Sequence, residues 1–124
     1  MMKENVIKNK SFAFALRIVK AYQFLCERKK EYVLSKQMLR SGTAVGAMVR
    51  EAEHAESSAD FVHKMAIALK EANETEYWIE LLAQSNYLEE KAAISLKNDS
   101  TEILKLLTAI IKTKKQNTQK SIDN

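Results

Sequence analysis

The chain has 124 residues, 46% hydrophobic and 29% charged, with 20 Lys/Arg against 16 Asp/Glu and a net charge of +4. That is room for one domain whose core folds without staples, with the balance of an ordinary globular protein. It contains no proline and two glycines, Gly42 and Gly46, which excludes most folds except an all-helical one.

The N-terminal "MMKENVIKNK" lacks the apolar stretch of a secretion signal and reads as a lead over residues 1–10. A first helix is predicted from Ser11, an N-cap candidate, to about Arg28, with Phe12, Ala15, Val19, Tyr22 and Cys26 as its buried stripe. Cys26 is the only cysteine, so no internal disulfide can form, which fits a reducing compartment. "ERKKE" reads as a polar turn. A second helix follows from about Ser35 to Glu56, facing inward through Met38, Ser41, Gly42, Val45, Val49, Ala52 and Ala55. Gly42 and Gly46 lie one turn apart and each costs a helix about 1 kcal/mol against alanine, which implies close helix packing there.

"ESSAD" breaks the pattern, and Ser58 can cap a third helix from about Ala59 to Ser85. Phe61, Met65, Ala68, Ala72, Thr75, Ile79 and Leu82 alternate steps of four and three, the seam of a helical bundle. "SNYL" makes a loop. The fourth helix reads to about Lys115, with a weak, frayed or kinked start at "SLKNDS" and a strong stripe of Ile103, Leu104, Leu107, Ile110 and Ile111. "NTQKSIDN" reads as part of a disordered tail over 116–124. The domain is therefore an antiparallel up-down-up-down four-helix bundle over residues 11–115. No run is long enough to span a membrane, and the chain reads as cytoplasmic.

"REAEHAESSADFVHK" sets Glu51 three residues before His54 and Asp60 three before His63, a spacing that di-iron bundles use for metal ligands. At 100° per residue His54 points about 180° away from Val45, and His63 points opposite Ala72. Di-iron ligands project inward, and the first helix offers no carboxylate from Phe12 to Cys26. No metal or other cofactor is expected. Neither a phosphate loop, a zinc spacing nor a nucleophile elbow is present, and Glu71 and Glu74 read as a solvated pair, so no enzymatic activity is expected.

Ile67, Trp78 and Leu81 form a second apolar face on the third helix, beside Glu71 and Glu74, larger than the scattered exposure of a monomer. Phe14, Ala21 and Phe24 read as outward on the first. A homo-oligomer is expected through the outer faces of helices two and three, with Arg40, close in angle to Glu51, meeting a neighbour's Glu71 or Glu74 beside Trp78.

The stretch from Val33 to Leu82 resembles the bacterial four-helix-bundle family named after the 23S ribosomal RNA intervening-sequence protein. The residues that carry the resemblance are Leu39-Arg40-Ser41-Gly42-Thr43, Gly46, Arg50-Glu51-Ala52, Asp60-Phe61, Ala68-Leu69-Lys70-Glu71-Ala72, Glu74-Thr75 and Tyr77-Trp78. Two positions depart from it: Ala44, where the family often has serine, and Met48, where it often has asparagine. The resemblance implies a left-handed bundle assembled as a homopentameric ring, with no catalytic residues. A related branch, the accessory variability protein of diversity-generating retroelements, binds nucleic acid and a reverse transcriptase.

Charge is segregated along the chain. Residues 1–40 hold ten Lys/Arg and three Glu, residues 41–90 three and ten acids, and residues 91–124 seven Lys and three acids. In the expected topology Lys8 and Lys10 share one pole with Lys112, Lys114 and Lys115, while Arg28, Lys29, Lys30 and Lys36 share the other. The sequence therefore reads as an oligomeric binding module for RNA or a nucleic-acid-associated protein. The alternative is a structural or protein-interaction module without a nucleic-acid role.

Overall fold

The structure, a computed structural model, describes residues 2–123, with side chains from Asn5 to Lys120. Four helices follow one another: α1 (Met2–Arg28), α2 (Leu34–Glu53), α3 (Ser58–Gln84) and α4 (Glu90–Asp123). No strand occurs among the described residues. Each helix packs on its chain neighbours and α1 closes the square against α4, without diagonal contacts among the described residues. Cross-helix pairs run in opposite directions, Lys8 to Glu53 and Ile18 to Gly42 between α1 and α2, Ser41 to Thr75 and Glu51 to Lys64 between α2 and α3, and Phe61 to Lys114 and Glu76 to Ser100 between α3 and α4, so the bundle is antiparallel.

The turns have identifiable chemistry. Lys30 takes a left-handed φ of 56° just past α1, and the Glu31 N–H donates back to the Leu25 carbonyl at 3.0 Å. Asn86 repeats the device after α3 with φ 67°, the Tyr87 N–H reaching the Leu82 carbonyl at 2.9 Å. The α3 end is a Schellman motif built on asparagine, whereas the α1 end is a wider left-handed turn built, at greater steric cost, on lysine. Glu31 then starts α2. Its carboxylate accepts the backbone N–H groups of Val33, Leu34 and Ser35 at 3.1, 2.9 and 2.7 Å. Ser57, rather than Ser58, caps α3 by accepting the Asp60 N–H.

The core contains the α3 seam complete, from Phe61 through Leu82, and the α2 stripe from Ser35 to Ala52. Ala55 lies beyond α2, which ends at Glu53 rather than Glu56, and is half-buried. At the α1–α2 crossing, a Cβ added to Gly42 would lie 2.8 Å from Ile18 Cγ2, and one added to Gly46 3.4 Å from the Ser11 carbonyl oxygen. In the middle of the α2–α3 contact the Thr75 hydroxyl is hydrogen-bonded to Ser41 Oγ at 2.9 Å. Among the described residues no buried side-chain polar atom lacks a partner.

Further expectations are corrected in α1 and α4. The 1–10 lead is helical from Met2, and Ser11 is buried inside α1, its hydroxyl returned to the Lys8 carbonyl. Nothing in that segment breaks a helix, and Ile7, fully buried, anchors it. The α1 stripe is consequently Ile7, Ser11, Phe14, Ile18 and Leu25, about a quarter-turn from the expected one, leaving Phe12 51% exposed and Phe14 at 1%. The "SLKNDS" stretch is regular helix that buries Leu96 and Ser100, and residues 116–123 continue α4 where a disordered tail is predicted. No glycine or proline is available there to stop the helix. Met1 and Asn124 lie outside the described residues.

Candidate functional site

The candidate metal ligands come first. His54 and His63 are exposed. Glu51 accepts a salt bridge from Lys64 at 3.1 Å, and Asp60 Oδ2 accepts the Glu56 backbone N–H at 3.2 Å. Their carboxylates are thus engaged in tying the α2–α3 turn. Among the described residues no three His, Cys, Asp or Glu side chains gather closely enough to hold a metal ion. Cys26 is half-buried beside Tyr22, whose hydroxyl it pushes above its ordinary pKa of 10.0 through a hydrogen bond.

On the α2–α3 face Arg40 reaches Glu71 at 3.3 Å and also pairs with Glu74, both within its own chain. The spacing is right because residues three apart on α3 share a face, and antiparallel packing brings Arg40 level with them. Glu74 Oε2 also accepts the Trp78 indole N–H at 2.9 Å. The indole first, and the guanidinium with it, hold the Glu74 carboxyl below its usual range. Trp78 is half-buried and meets the Tyr77 ring edge-on at 4.9 Å, while Tyr77 is 57% exposed. Ile67 and Leu81 are half-buried beside them. The face is held rigid by its own ion-pair network, with an aromatic edge in solvent.

Sequence reasoning missed a second apolar surface. Phe12 and Leu16, one turn apart on α1, are each about half exposed at 51% and 50%, and the Arg50 guanidinium lies 5.2 Å over the Phe12 ring. The available signal was that α1 is apolar on nearly every side, so one of its stripes had to face out.

The cations divide by position. Lys8 pairs with Glu53 at 3.1 Å, Lys10 with Glu102 and Arg17 with Asp99 at 2.6 Å, so these charges are matched within the chain. Lys8 and Lys10 therefore contribute less to a basic pole than their sequence position implies. Arg28, Lys29, Lys30 and Lys36 are exposed and form no ion pair among the described residues, as are Lys112 and Lys115. Lys114 is turned inward, its ammonium 5.0 Å over the Phe61 ring. The Arg28 pole is not purely basic, because Lys29 shares a cleft with Glu80, Glu89 and Glu90. No described helix is long and apolar enough to cross a membrane.

A family model for the 23S rRNA-intervening sequence protein matches residues 3–109. A crystal structure of a protein with unknown function from the S23 ribosomal protein family of Bacteroides thetaiotaomicron is 60% identical, with a TM-score of 0.88. The match covers 89% of this chain and 98% of that one. No curated protein matches the sequence.

Proposed function

The chain belongs to the family of 23S rRNA-intervening sequence proteins, and we propose that it works in the cytoplasm as a non-enzymatic binding module that assembles with itself and engages nucleic acid through exposed lysines and arginines. One observation carries the nucleic-acid part. Lys8, Lys10, Arg17, Arg40 and Lys64 are neutralised by carboxylates of the same chain. Arg28, Lys29, Lys30, Lys36, Lys112 and Lys115, at the ends, are not. Phosphate contacts of this kind release counterions, so binding would be steep in salt and indifferent to sequence.

Assembly is supported by two separate apolar patches. A closed ring joins unlike surfaces head to tail, and so needs two patches per subunit. The Tyr77–Trp78 edge with Ile67 and Leu81 supplies one, and Phe12 with Leu16 a second. A pentameric ring would repeat each cationic end and convert weak contacts into avidity. The same patches favour the second reading, a protein-interaction module without nucleic acid.

Retention on RNA at low and at moderate salt separates the two. The nucleic-acid reading expects binding at low salt, loss at moderate salt, and loss at both when Arg28, Lys29, Lys30, Lys112 and Lys115 are replaced together by glutamate. An unmodified protein that ignores RNA at low salt contradicts it and leaves the protein-interaction reading.

A further inference from the structure

Beyond Glu102, α4 carries no acidic residue until Asp123. Within that run Thr101, Lys105, Thr108, Lys112, Lys115 and Gln119 recur at steps of four, three, four, three and four, and all six are exposed. That spacing puts them on one ridge along the helix. It is distinct from the buried stripe of Ile103, Leu107 and Ile110 and from Glu102, which faces α1 through Lys10. Lys105, Lys112 and Lys115 form no ion pair among the described residues. The α3 side chains placed beside this half of α4 by the antiparallel register, Val62, Ala66, Leu69 and Asn73, are uncharged. The nearest α3 carboxylate along that edge is Glu76, which accepts the Thr101 hydroxyl at 3.5 Å and so marks where the acid-free ridge begins.

We propose that this α4 ridge, from Lys105 to Lys115, is a backbone track for double-stranded nucleic acid, with the three lysines on phosphates and the Thr108 hydroxyl donated to the Leu104 carbonyl of its own helix. The inference rests on the reading above that the partner is nucleic acid, and it assigns the contact to the length of one helix rather than to both poles. Three features select the occupant. The three ammonium groups are spread over about 15 Å of straight helix, on the order of four phosphate repeats along one strand. No aromatic residue stands on the ridge, whereas single strands are held on stacked aromatic platforms. A membrane-surface helix buries an apolar face in lipid, but the apolar face of α4 is already buried in the bundle. The Arg28 pole is the weaker phosphate site because Glu80, Glu89 and Glu90 surround its cleft.

The test compares two triple variants of equal charge loss in the full chain, Lys105→Gln/Lys112→Gln/Lys115→Gln and Arg28→Gln/Lys29→Gln/Lys30→Gln. Circular dichroism confirms that each stays helical. Binding to a 20-base-pair RNA duplex, the matching DNA duplex, a poly-uridine strand and anionic phosphatidylserine vesicles is measured across salt concentrations. The ridge variant is expected to lose about three units from the slope of log affinity against log salt on the duplexes, with the pole variant near wild type. Wild-type affinity on the ridge variant together with loss in the pole variant overturns the ridge and leaves the nucleic-acid reading standing. Preference for poly-uridine, or for vesicles over duplex, also overturns it. Absence of wild-type binding to every nucleic acid defeats both.

Discussion

At the residue scale, the two glycines of α2 share a spacing but not an environment. At Gly42 a methyl group would meet the branched Ile18 side chain at 2.8 Å from Cγ2 and 3.2 Å from Cβ, too near to be absorbed by a rotamer change. Gly42→Ala should therefore lower stability by about 1–3 kcal/mol despite its gain in helix propensity. At Gly46 the added carbon would find ordinary contact distances of 3.4 and 3.5 Å around Ser11. Gly46→Ala should be neutral or stabilise by up to about 1 kcal/mol. Urea unfolding of both variants checks the contrast, and equal losses at both sites would refute it. Glu31 is the second informative residue. Burial works to raise its carboxyl pKa, but the amides of Leu34, Ser35 and Val33 outweigh it and hold the folded value below the ordinary 4.5. Stability from this cap is then full above the unfolded value and is lost as pH falls through the lowered folded value. Glu31→Gln should cost about 1–2 kcal/mol at neutral pH, and the gap to wild type should close in acid. A gap that persists unchanged at pH 2 would rule out the charged cap.

At the element scale, α2 and α3 were legible and α1 was not, for a physical reason. The α3 seam steps by four and three without a break from Phe61 to Leu82, and the α2 stripe is flanked towards its ends by Lys36, Arg40, Arg50 and Glu51. α1 has apolar residues in every direction, so periodicity alone could not choose between Phe12 and Phe14. Starting the helix at Ser11 removed Ile7, the residue that would have tipped the choice. α4 was misjudged at both ends for a related cause: serine, asparagine and lysine weaken a helix only slightly when a neighbour supplies packing. Phe14→Ala should cost about 3–5 kcal/mol and Phe12→Ala about 0.5–1 kcal/mol. Thermal melts of the two read the orientation of α1 directly, and the reverse order would mean a rotated helix. Of the candidate surfaces, the Arg40, Glu71, Glu74 and Trp78 cluster was recognised, but not that it closes on itself. Whether two helices of one chain or of two meet there depends on an antiparallel register that sequence spacing does not state.

At the scale of the whole molecule, positive charge and apolar surface lie on different parts of one rigid bundle. Lys8, Arg17 and Arg40 hold helices together through ion pairs, while end and ridge cations face solvent. A subunit of that design can associate through Phe12, Leu16, Tyr77 and Trp78 without covering Lys105, Lys112 or Lys115. Salt should then separate the two activities, because apolar association survives conditions that abolish phosphate binding. Sedimentation velocity of the wild-type protein at micromolar concentration with a fluorescent duplex, at low and at moderate salt, tests this most directly. The duplex should co-sediment with an oligomer at low salt and sediment free at moderate salt, with the oligomer persisting in both. A monomeric protein, or a duplex that sediments alone at low salt, would contradict it.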